Sequence, residues 1–239
     1  MTLPWSSPPP LPERPRDHVH LWRVLLDVVP ADRSCLSPDE LGRADKLVHL
    51  QHRQRFIAMR SALRGVLGRY LQVPPSSISF AYGEKGKPAL LNAQNSLDLR
   101  FNVSHSGSVG ILAVTSGCEV GVDVETRQDV LEFMAVARRF FSPREYEALC
   151  QIPEGLRQRA FLRCWTRKES YVKALGEGLA CSLKSFSVSV SPDCSEDCLL
   201  ETVSALEYDV SDLDLPDECV ASVAVKGKRR PRCCWTYGN

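Results

Sequence analysis

Hydrophobic and polar residues follow the clearest pattern in the middle of the chain. Residues 99–103 and 120–125 alternate between apolar and polar positions, and residues 109–115 form a continuous apolar run between them. Alternation with a period of two places side chains on opposite faces of a β-strand. Ser116 and Gly117 form a typical turn before the last of these segments. The pattern predicts three strands, paired as an antiparallel meander.

The rest of the chain predicts a mixture of helices and further strands. The predicted helices cover about residues 37–48, 52–71, 131–140, 143–150 and 156–175. The first begins with a capping box, Ser37 to Glu40, with proline at the first helical position. Gly176 and Gly178 follow the last helix and are expected to end it. The further strands are expected at about residues 18–26, 186–190, 199–203 and 220–225.

The first 17 residues have a different composition from the rest. They carry six of the prolines and little hydrophobic patterning. Such a segment favours a disordered or polyproline conformation, because proline cannot donate a backbone hydrogen bond. We therefore expect residues 1–17 to form a flexible arm, either a passive tail or a segment that binds a partner.

The overall composition is that of an ordinary globular protein. The chain has 239 residues, of which 44% are hydrophobic and 25% charged, and its formal net charge is +1. This charge gives no sign of a nucleic-acid or anionic membrane partner. No apolar run approaches the roughly 20 residues of a transmembrane helix, and no signal peptide is evident. We expect a cytoplasmic protein whose ten scattered cysteines are reduced thiols.

Two acidic residues stand out in the strand at 120–125. Its three valines share one face, so Asp123 and Glu125 project together from the other face. Gly121 lies on that second face and would leave room for a ligand to approach the backbone. Acids on the exposed face of a strand are often merely solvated, and this interpretation stays open for the strand taken alone.

A third acid interrupts the apolar face of the helix at 156–175. Leu162, Trp165, Glu169 and Val172 recur at helical spacing, so Glu169 lies where a core residue is expected. A salt bridge with Lys173, one turn further on, is the structural alternative. Three acids brought to one point repel one another and require a cation, most simply Mg²⁺ held by oxygen ligands. The combination indicates metal-assisted phosphoryl chemistry.

Basic residues that suit phosphate groups occur in two places. Arg53, Arg60 and Arg64 share one face of the helix at 52–71, and Lys87 follows a glycine in a short basic segment. The planar guanidinium donates two parallel hydrogen bonds to phosphate. A solvated basic face is the alternative. His105 lies between two serines in a loop expected to enter a strand, where it would bind phosphate when protonated or simply cap the loop.

Three motifs occur in this order along the chain and resemble one known family. They are N-V-S-H-S at residues 102–106, G-V-D-V-E at residues 121–125, and W-T-R-K-E-S-Y-V-K-A-L-G at residues 165–176. Together they resemble the 4'-phosphopantetheinyl transferases of the surfactin-synthetase type. The resemblance implies an α/β (α+β) fold, a pseudo-dimer of two similar halves. Each half is a small antiparallel sheet packed with a long helix, and the active site lies at their junction. We place the halves at residues 18–116 and 117–239.

The same resemblance implies roles for individual residues. It makes Asp123, Glu125 and Glu169 the Mg²⁺ ligands, with Glu169 also a possible general base and Lys173 a catalytic cation that contacts the phosphates. It assigns the contacts with coenzyme A to a wider set: Arg53, Arg60, Lys87, Ser104, His105 and Lys173. Phe140 and Phe141 are either core residues or part of the surface that receives the protein substrate. Trp165 is expected to pack rather than to stack on a base.

The implied reaction transfers the 4'-phosphopantetheine arm of coenzyme A to a serine hydroxyl of an apo acyl or peptidyl carrier protein. Adenosine 3',5'-bisphosphate leaves. Because the attacking serine belongs to the partner, this chain needs no nucleophile of its own. We expect a monomer with no nucleic-acid or membrane partner. Two other classes of function remain: another Mg²⁺-dependent nucleotide or phosphodiester enzyme, and an inactive module that binds coenzyme A or a carrier.

Overall fold

The computed structural model describes residues 5–83, 85–126, 132–176, 181–191, 194, 198–201, 207–216 and 218–238. Gly178, the predicted start of a helix at residue 131 and the predicted end of a strand at residues 202–203 lie outside these ranges. No helix in the described ranges combines the length and the apolar character that crossing a membrane requires.

Strands and helices are mixed along the described part of the chain. The strands are β1 (Val19–Leu25), β2 (Phe80–Tyr82), β3 (Pro88–Leu90), β4 (Leu99–Ser106), β5 (Val109–Ser116), β6 (Val120–Thr126), β7 (Ser187–Val188), β8 (Leu199–Glu201), β9 (Tyr208–Leu213), β10 (Cys219–Lys226) and β11 (Arg232–Tyr237). The α-helices are α1 (Pro38–Asp45), α2 (Leu50–Leu71), α3 (Phe133–Phe140), α4 (Pro143–Gln151) and α5 (Glu154–Leu175).

The first half is built on a four-stranded sheet with the order β11-β1-β5-β4. Helix α2 covers one face, because its buried residues pack with Trp22, Val24, Leu112 and Val114 in a single core cluster. The pairs β1–β5 and β4–β5 are antiparallel. Strand β11 pairs with β1 in parallel. The latest described strand of the chain therefore belongs to the first sheet, which the sequence did not indicate.

The second half repeats the combination of a sheet and a 22-residue helix. Strands β6, β10 and β9 form an antiparallel sheet, and α5 packs against it. The faces of the two sheets that turn away from these helices share a further core cluster. The order across the molecule is therefore helix, sheet, sheet, helix. The predicted mixed α/β fold with two halves is confirmed, with β11 as the parallel exception to two antiparallel sheets.

The predicted meander of three strands is wrong. Strand β6 pairs with β10 rather than with β4 or β5, so it belongs to the second sheet. The physical reason lies in side chains on β4. Asn102, Ser104 and Ser106 hydrogen-bond to residues of β6 and replace a backbone ladder between the two strands. The two strands are nevertheless neighbours, as the meander implied.

The described part of the proline-rich segment lies against the first sheet. Ser6 exchanges backbone hydrogen bonds with β11, through Cys234 and Thr236. Pro12 and Pro15 are buried, and the Arg14 guanidinium donates to the Ser116 hydroxyl at 2.8 Å. The domain boundaries at residues 17 and 116 stay predictions.

Candidate functional site

The site is organised around Asp123, in the middle of β6. Its Oδ1 atom accepts hydrogen bonds from the Ser104 hydroxyl at 2.8 Å and from the Lys173 ammonium at 2.6 Å. Lys173 also donates to the Ser104 hydroxyl at 3.1 Å and to the Val122 carbonyl at 3.3 Å. Strand β4 of the first half, β6 and α5 thus each supply one side chain. The site lies where the two halves meet.

Gly121 allows α5 to lie directly on β6. A Cβ atom at this position would be only 2.1 Å from the carbonyl oxygen of Ser170 and 2.4 Å from the backbone nitrogen of Ala174. The interpretation of Gly121 as room for a ligand is therefore wrong, because the helix backbone occupies that space. This close approach brings Lys173 within reach of Asp123.

A row of polar side chains on β4 contacts β6. Asn102 accepts a hydrogen bond from the backbone of Val122 at 2.9 Å, and Ser104 donates to Asp123. Ser106 donates to Oε2 of Glu125 at 2.9 Å. These β4 residues are two positions apart and so share one face of their strand. The row fixes β6 and orients both acidic side chains.

The three acids are all less acidic than usual. Burial raises the pKa of Asp123, and the Lys173 ammonium and the Ser104 hydroxyl oppose this shift. Burial followed by repulsion from Asp123 raises the pKa of Glu169, and Lys173 again opposes. Burial also raises the pKa of Glu125, with the Asp123 charge adding to the effect and the Ser106 hydroxyl opposing it. The acids are therefore close enough to repel one another.

The donor set fits a hard divalent cation. Oδ2 of Asp123 is buried and has no hydrogen-bond partner in the described part of the chain, so one strong acceptor stays unsatisfied. A dication would relieve this and the mutual repulsion of the acids. Among the described residues, no three histidine, cysteine, aspartate or glutamate side chains lie close enough together to hold a metal ion as they stand. Lys173 provides the positive charge beside Asp123 in this structure.

A cleft of about 670 Å³ opens next to these residues. Its charged lining is mainly basic, and its apolar lining comes from α3, α5 and the segment after α5. The basic side chains are Lys85, Lys87, Arg139, Lys173 and Lys184, and Glu169 is the acid that faces them. Phe140, Val172 and Leu183 supply apolar surface. The cleft therefore suits an anionic ligand that also has an apolar part.

Lys87 lies at this cleft and is already held by protein groups. Its ammonium contacts Oε2 of Glu119 at 2.9 Å and the Val120 carbonyl at 3.3 Å. Gly176 ends α5 in the left-handed conformation, with φ +76°, and a Cβ there would contact Lys87. The predicted end of the helix at Gly176 is confirmed.

The arginines of α2 are engaged away from this cleft. Arg53 donates to the Leu47 carbonyl at 2.8 Å, and Arg60 forms an ion pair with Glu40. Arg64 is buried, and its Nε also donates to Glu40, at 2.7 Å. The expected basic face therefore does not line the cleft. Glu40 of α1 pairs with two of its arginines, Arg60 and Arg64.

His105 lies in β4, near its end, and not in a loop. Its side chain is exposed, although the surrounding protein lowers its pKa by desolvation and the positive charge of Lys173 adds to the effect. The structure decides the role of only one of the two phenylalanines, and a role of Phe140 in receiving the protein substrate stays a prediction. Phe141 is buried in the core, whereas Phe140 lines the cleft and packs edge-on against Trp165.

Several cleft and site residues were missed at the sequence level, among them Arg139, Lys184 and Ser106. Arg139 lies in α3 and lines the cleft. Ser106 orients Glu125, and its spacing of two from Ser104 within the N-V-S-H-S motif was the available signal. No comparable signal exists for Arg139, because helical arginines are common on solvated surfaces.

Comparison with known families identifies the family of this chain. Residues 119–224 match the model of the 4'-phosphopantetheinyl transferase superfamily, and residues 21–117 match the model of a 4'-phosphopantetheinyl transferase N-terminal region. The chain therefore belongs to the 4'-phosphopantetheinyl transferase family. It is a transferase that moves a phosphopantetheine arm to a carrier protein.

Individual relatives cover much or nearly all of the chain. The 4'-phosphopantetheinyl transferase HetI of a Nostoc species is 39% identical over 237 residues, which cover 98% of each chain. The 4'-phosphopantetheinyl transferase Sfp of Bacillus subtilis is 32% identical over 160 residues, 67% of this chain and 69% of the relative. The mouse L-aminoadipate-semialdehyde dehydrogenase-phosphopantetheinyl transferase is 30% identical over 66% of this chain and 53% of its own length.

Proposed function

We propose that this chain transfers phosphopantetheine from coenzyme A to a serine hydroxyl of an apo acyl or peptidyl carrier protein in a Mg²⁺-dependent reaction. The observation that carries the proposal is the buried, unsatisfied Oδ2 atom of Asp123, which is grouped with the half-buried Glu125 and Glu169 beside a basic cleft. A site with a surplus of acidic groups and an adjoining basic surface suits a metal-bound pyrophosphate.

Asp123, Glu125 and Glu169 would hold the metal. Bound there, Mg²⁺ would neutralise the charge on the pyrophosphate and on the leaving group. Lys173 would also neutralise charge on the phosphates, because its ammonium lies 2.6 Å from Oδ1 of Asp123 and lines the cleft.

Glu169 is proposed as the general base. In the transfer, the serine oxygen of the carrier forms a bond to the phosphorus that bears the pantetheine arm. The bond from that phosphorus to the bridging oxygen breaks, and adenosine 3',5'-bisphosphate leaves. The serine proton passes to the Glu169 carboxylate, directly or through a water. Burial raises the pKa of this carboxyl, which makes its ionised form a better proton acceptor.

The contacts with the nucleotide remain proposals that differ in their support. Lys87 lines the cleft and needs only to exchange Glu119 for a phosphate. Ser104 and His105 are adjacent on β4 beside Lys173. Arg53 and Arg60 are engaged with Leu47 and Glu40, so phosphate would have to use their remaining N–H groups or displace those partners.

We also propose a monomer that works in the cytoplasm without a nucleic-acid or membrane partner. The net charge of +1 supports only the part of this proposal that concerns nucleic acid and anionic membranes. The carrier is proposed by analogy with the three relatives described above, each of which is named as a phosphopantetheinyl transferase.

The decisive experiment incubates the protein with coenzyme A, Mg²⁺ and a panel of apo carrier proteins, followed by intact-mass measurement. The expected result is a gain of one phosphopantetheine on at least one carrier. EDTA should abolish this gain reversibly, and Asp123→Ala should abolish it in a folded protein. Turnover of coenzyme A without a carrier would indicate the phosphodiesterase alternative. Binding without turnover would indicate an inactive module.

A further inference from the structure

Two buried cationic side chains directly precede Glu169, and neither has a role in the proposed reaction. Arg167 and Lys168 precede it directly on α5, and both side chains are fully buried. Burying a charge is costly unless it is paired and hydrogen-bonded. Two such groups beside a proposed base therefore require a reason.

Arg167 connects α5 to the second sheet. Its Nε and Nη2 atoms donate to the two carboxylate oxygens of Asp212, on β9, at 2.8 and 2.7 Å. Nη1 donates to the Ser189 carbonyl at 2.6 Å, and Nη2 also donates to the Cys194 carbonyl. Asp212 in turn accepts the Ser222 hydroxyl at 3.2 Å. This pair links α5, β9, β10 and the residues that follow β7.

Lys168 connects α5 to a different neighbour. Its ammonium donates to Oε1 of Glu145, on α4, at 2.5 Å and to the Phe186 carbonyl at 2.8 Å. The second oxygen of Glu145 accepts the backbone N–H of Ser142 at 2.7 Å, which caps α4. The ion pair therefore joins α5 to the start of α4.

The three consecutive residues point in three directions. Successive residues of an α-helix are rotated by about 100°, so Arg167 points roughly 200° away from Glu169 and Lys168 lies between them. Rotation or sliding of α5 would break at least one buried ion pair. A misplacement of about 1 Å in a catalytic group can cost on the order of 100-fold in rate.

We propose that Arg167–Asp212 and Lys168–Glu145 are positioning pairs that fix the rotation and height of α5, and thereby hold Glu169 at the reacting atoms. The inference rests on the proposed role of Glu169. Neither pair lines the cleft, so neither is placed to contact a ligand bound there.

A double-mutant cycle tests the proposal. Asp212→Asn keeps the shape of the side chain and removes its charge, and we expect kcat to fall about tenfold with the KM for coenzyme A nearly unchanged. In a Glu169→Gln background, Asp212→Asn should lower kcat by less than about twofold, because the residue being positioned has already lost its function. Activities are normalised to the folded fraction from circular dichroism.

A matched control lies on the same strand. Asp209 is also buried, but it lies on the face of β9 opposite Asp212 and accepts the Ser211 hydroxyl. Asp209→Asn should change kcat less than about twofold in both backgrounds. If Asp212→Asn does not fold, Glu145→Gln takes its place in the cycle and tests the other pair.

Equal losses of kcat in both backgrounds would overturn the proposal, since they would mean that the ion pair supports stability or another residue. An unchanged kcat in a folded variant would also overturn it. If Glu169→Gln itself had no effect, the proposed base would be wrong, which is a separate outcome.

Discussion

The Asp123 carboxylate has two oxygens in unlike surroundings. Oδ1 is saturated by Ser104 and Lys173, and Oδ2 is buried without a described partner. An unsatisfied buried acceptor costs about 1–3 kcal/mol, more when it is charged. A bound cation would satisfy this oxygen and remove that cost.

The first prediction concerns the hydrogen bond from Ser106 to Glu125. Ser106→Ala removes a donor that orients this carboxylate, so the Mg²⁺ concentration for half-maximal activity should rise several-fold while saturating Mg²⁺ restores kcat. A Mg²⁺ titration of initial rates measures this, and Mn²⁺ binding by electron paramagnetic resonance provides a readout without turnover.

The control for this prediction is Ser108→Ala. Ser108 is half-buried in the adjoining turn, and its hydroxyl makes no hydrogen bond with the described residues. An equal change in the Mg²⁺ requirement of both variants would argue against a specific role for Ser106.

The second prediction separates the two roles of Glu169. Glu169→Gln keeps the shape and loses the charge, so kcat should fall by roughly 10²–10⁴ if the carboxylate accepts the serine proton. Excess Mg²⁺ should then restore little. A Mg²⁺ titration at saturating coenzyme A and carrier decides the point, since near-complete rescue would leave Glu169 only as a ligand.

The third prediction concerns His20, which is buried in the first half. Its Nδ1 lies 2.7 Å from the Tyr70 hydroxyl, which also accepts the Trp22 indole N–H, so the network assigns a neutral imidazole that accepts at Nδ1. Burial, with His18 adding a smaller effect, lowers its pKa from 6.5 to about 4.

Since the folded-state pKa is depressed, the unfolded state binds the proton more readily. The stability from neutral His20 is complete above pH 6.5 and is lost as the pH falls towards 4, with about 2 kcal/mol gone at pH 5. His20→Asn cannot titrate, so its unfolding free energy should change that much less between pH 7 and pH 5. Urea unfolding at both pH values measures the difference, and identical pH dependence would contradict the prediction.

At the scale of elements, the contact between α5 and β6 depends on one missing side chain. Gly121→Ala would place a methyl group against the helix backbone, which cannot move aside as a flexible side chain can. We expect a loss of about 3 kcal/mol or more in unfolding free energy, together with lost activity.

Chemical denaturation of Gly121→Ala and of a matched variant tests this fourth prediction. Gly155, in the first turn of α5, has nothing within 4 Å of its Cβ position, so Gly155→Ala should be neutral or stabilising. Similar losses in both variants would contradict the role assigned to Gly121.

Local signals in the sequence were sufficient for single elements. The capping box at Ser37, the apolar run of β5 and the glycine after α5 each depend on residues close in the chain, and the structure has all three. Pairing between strands depends on residues far apart. Nothing in β6 itself indicates that it pairs with β10, about 100 residues later.

The same limit explains the arginines of α2. Their spacing correctly indicated one helical face, but not what lies opposite it. Glu40 comes from a different helix and draws Arg60 and Arg64 inwards. The acids of the site could be predicted because each lies in a local sequence motif. The structural role of Arg60 and Arg64 could not, because it depends on a residue of another helix.

At the scale of the whole molecule, β11 brings the chain back from the second half to the first sheet. It covers the edge of β1. The ring centroids of Trp235 and Trp22 are 4.9 Å apart, in the core between α2 and the first sheet. Our fifth prediction is that removal of residues 231–239 uncovers β1. Amide hydrogen exchange in β1 should become much faster, whereas β9 should change little. Equal acceleration in both strands would mean that the two halves unfold as one unit.

The return of β11 to the first sheet also has a consequence for biosynthesis. Domains generally fold in the order in which they leave the ribosome. Here the first sheet waits for residues 232–237, which are translated after the whole second half. The nascent protein must therefore keep an incomplete sheet with an open edge until that late strand arrives, which makes this interval the period of greatest exposure to aggregation and to chaperones.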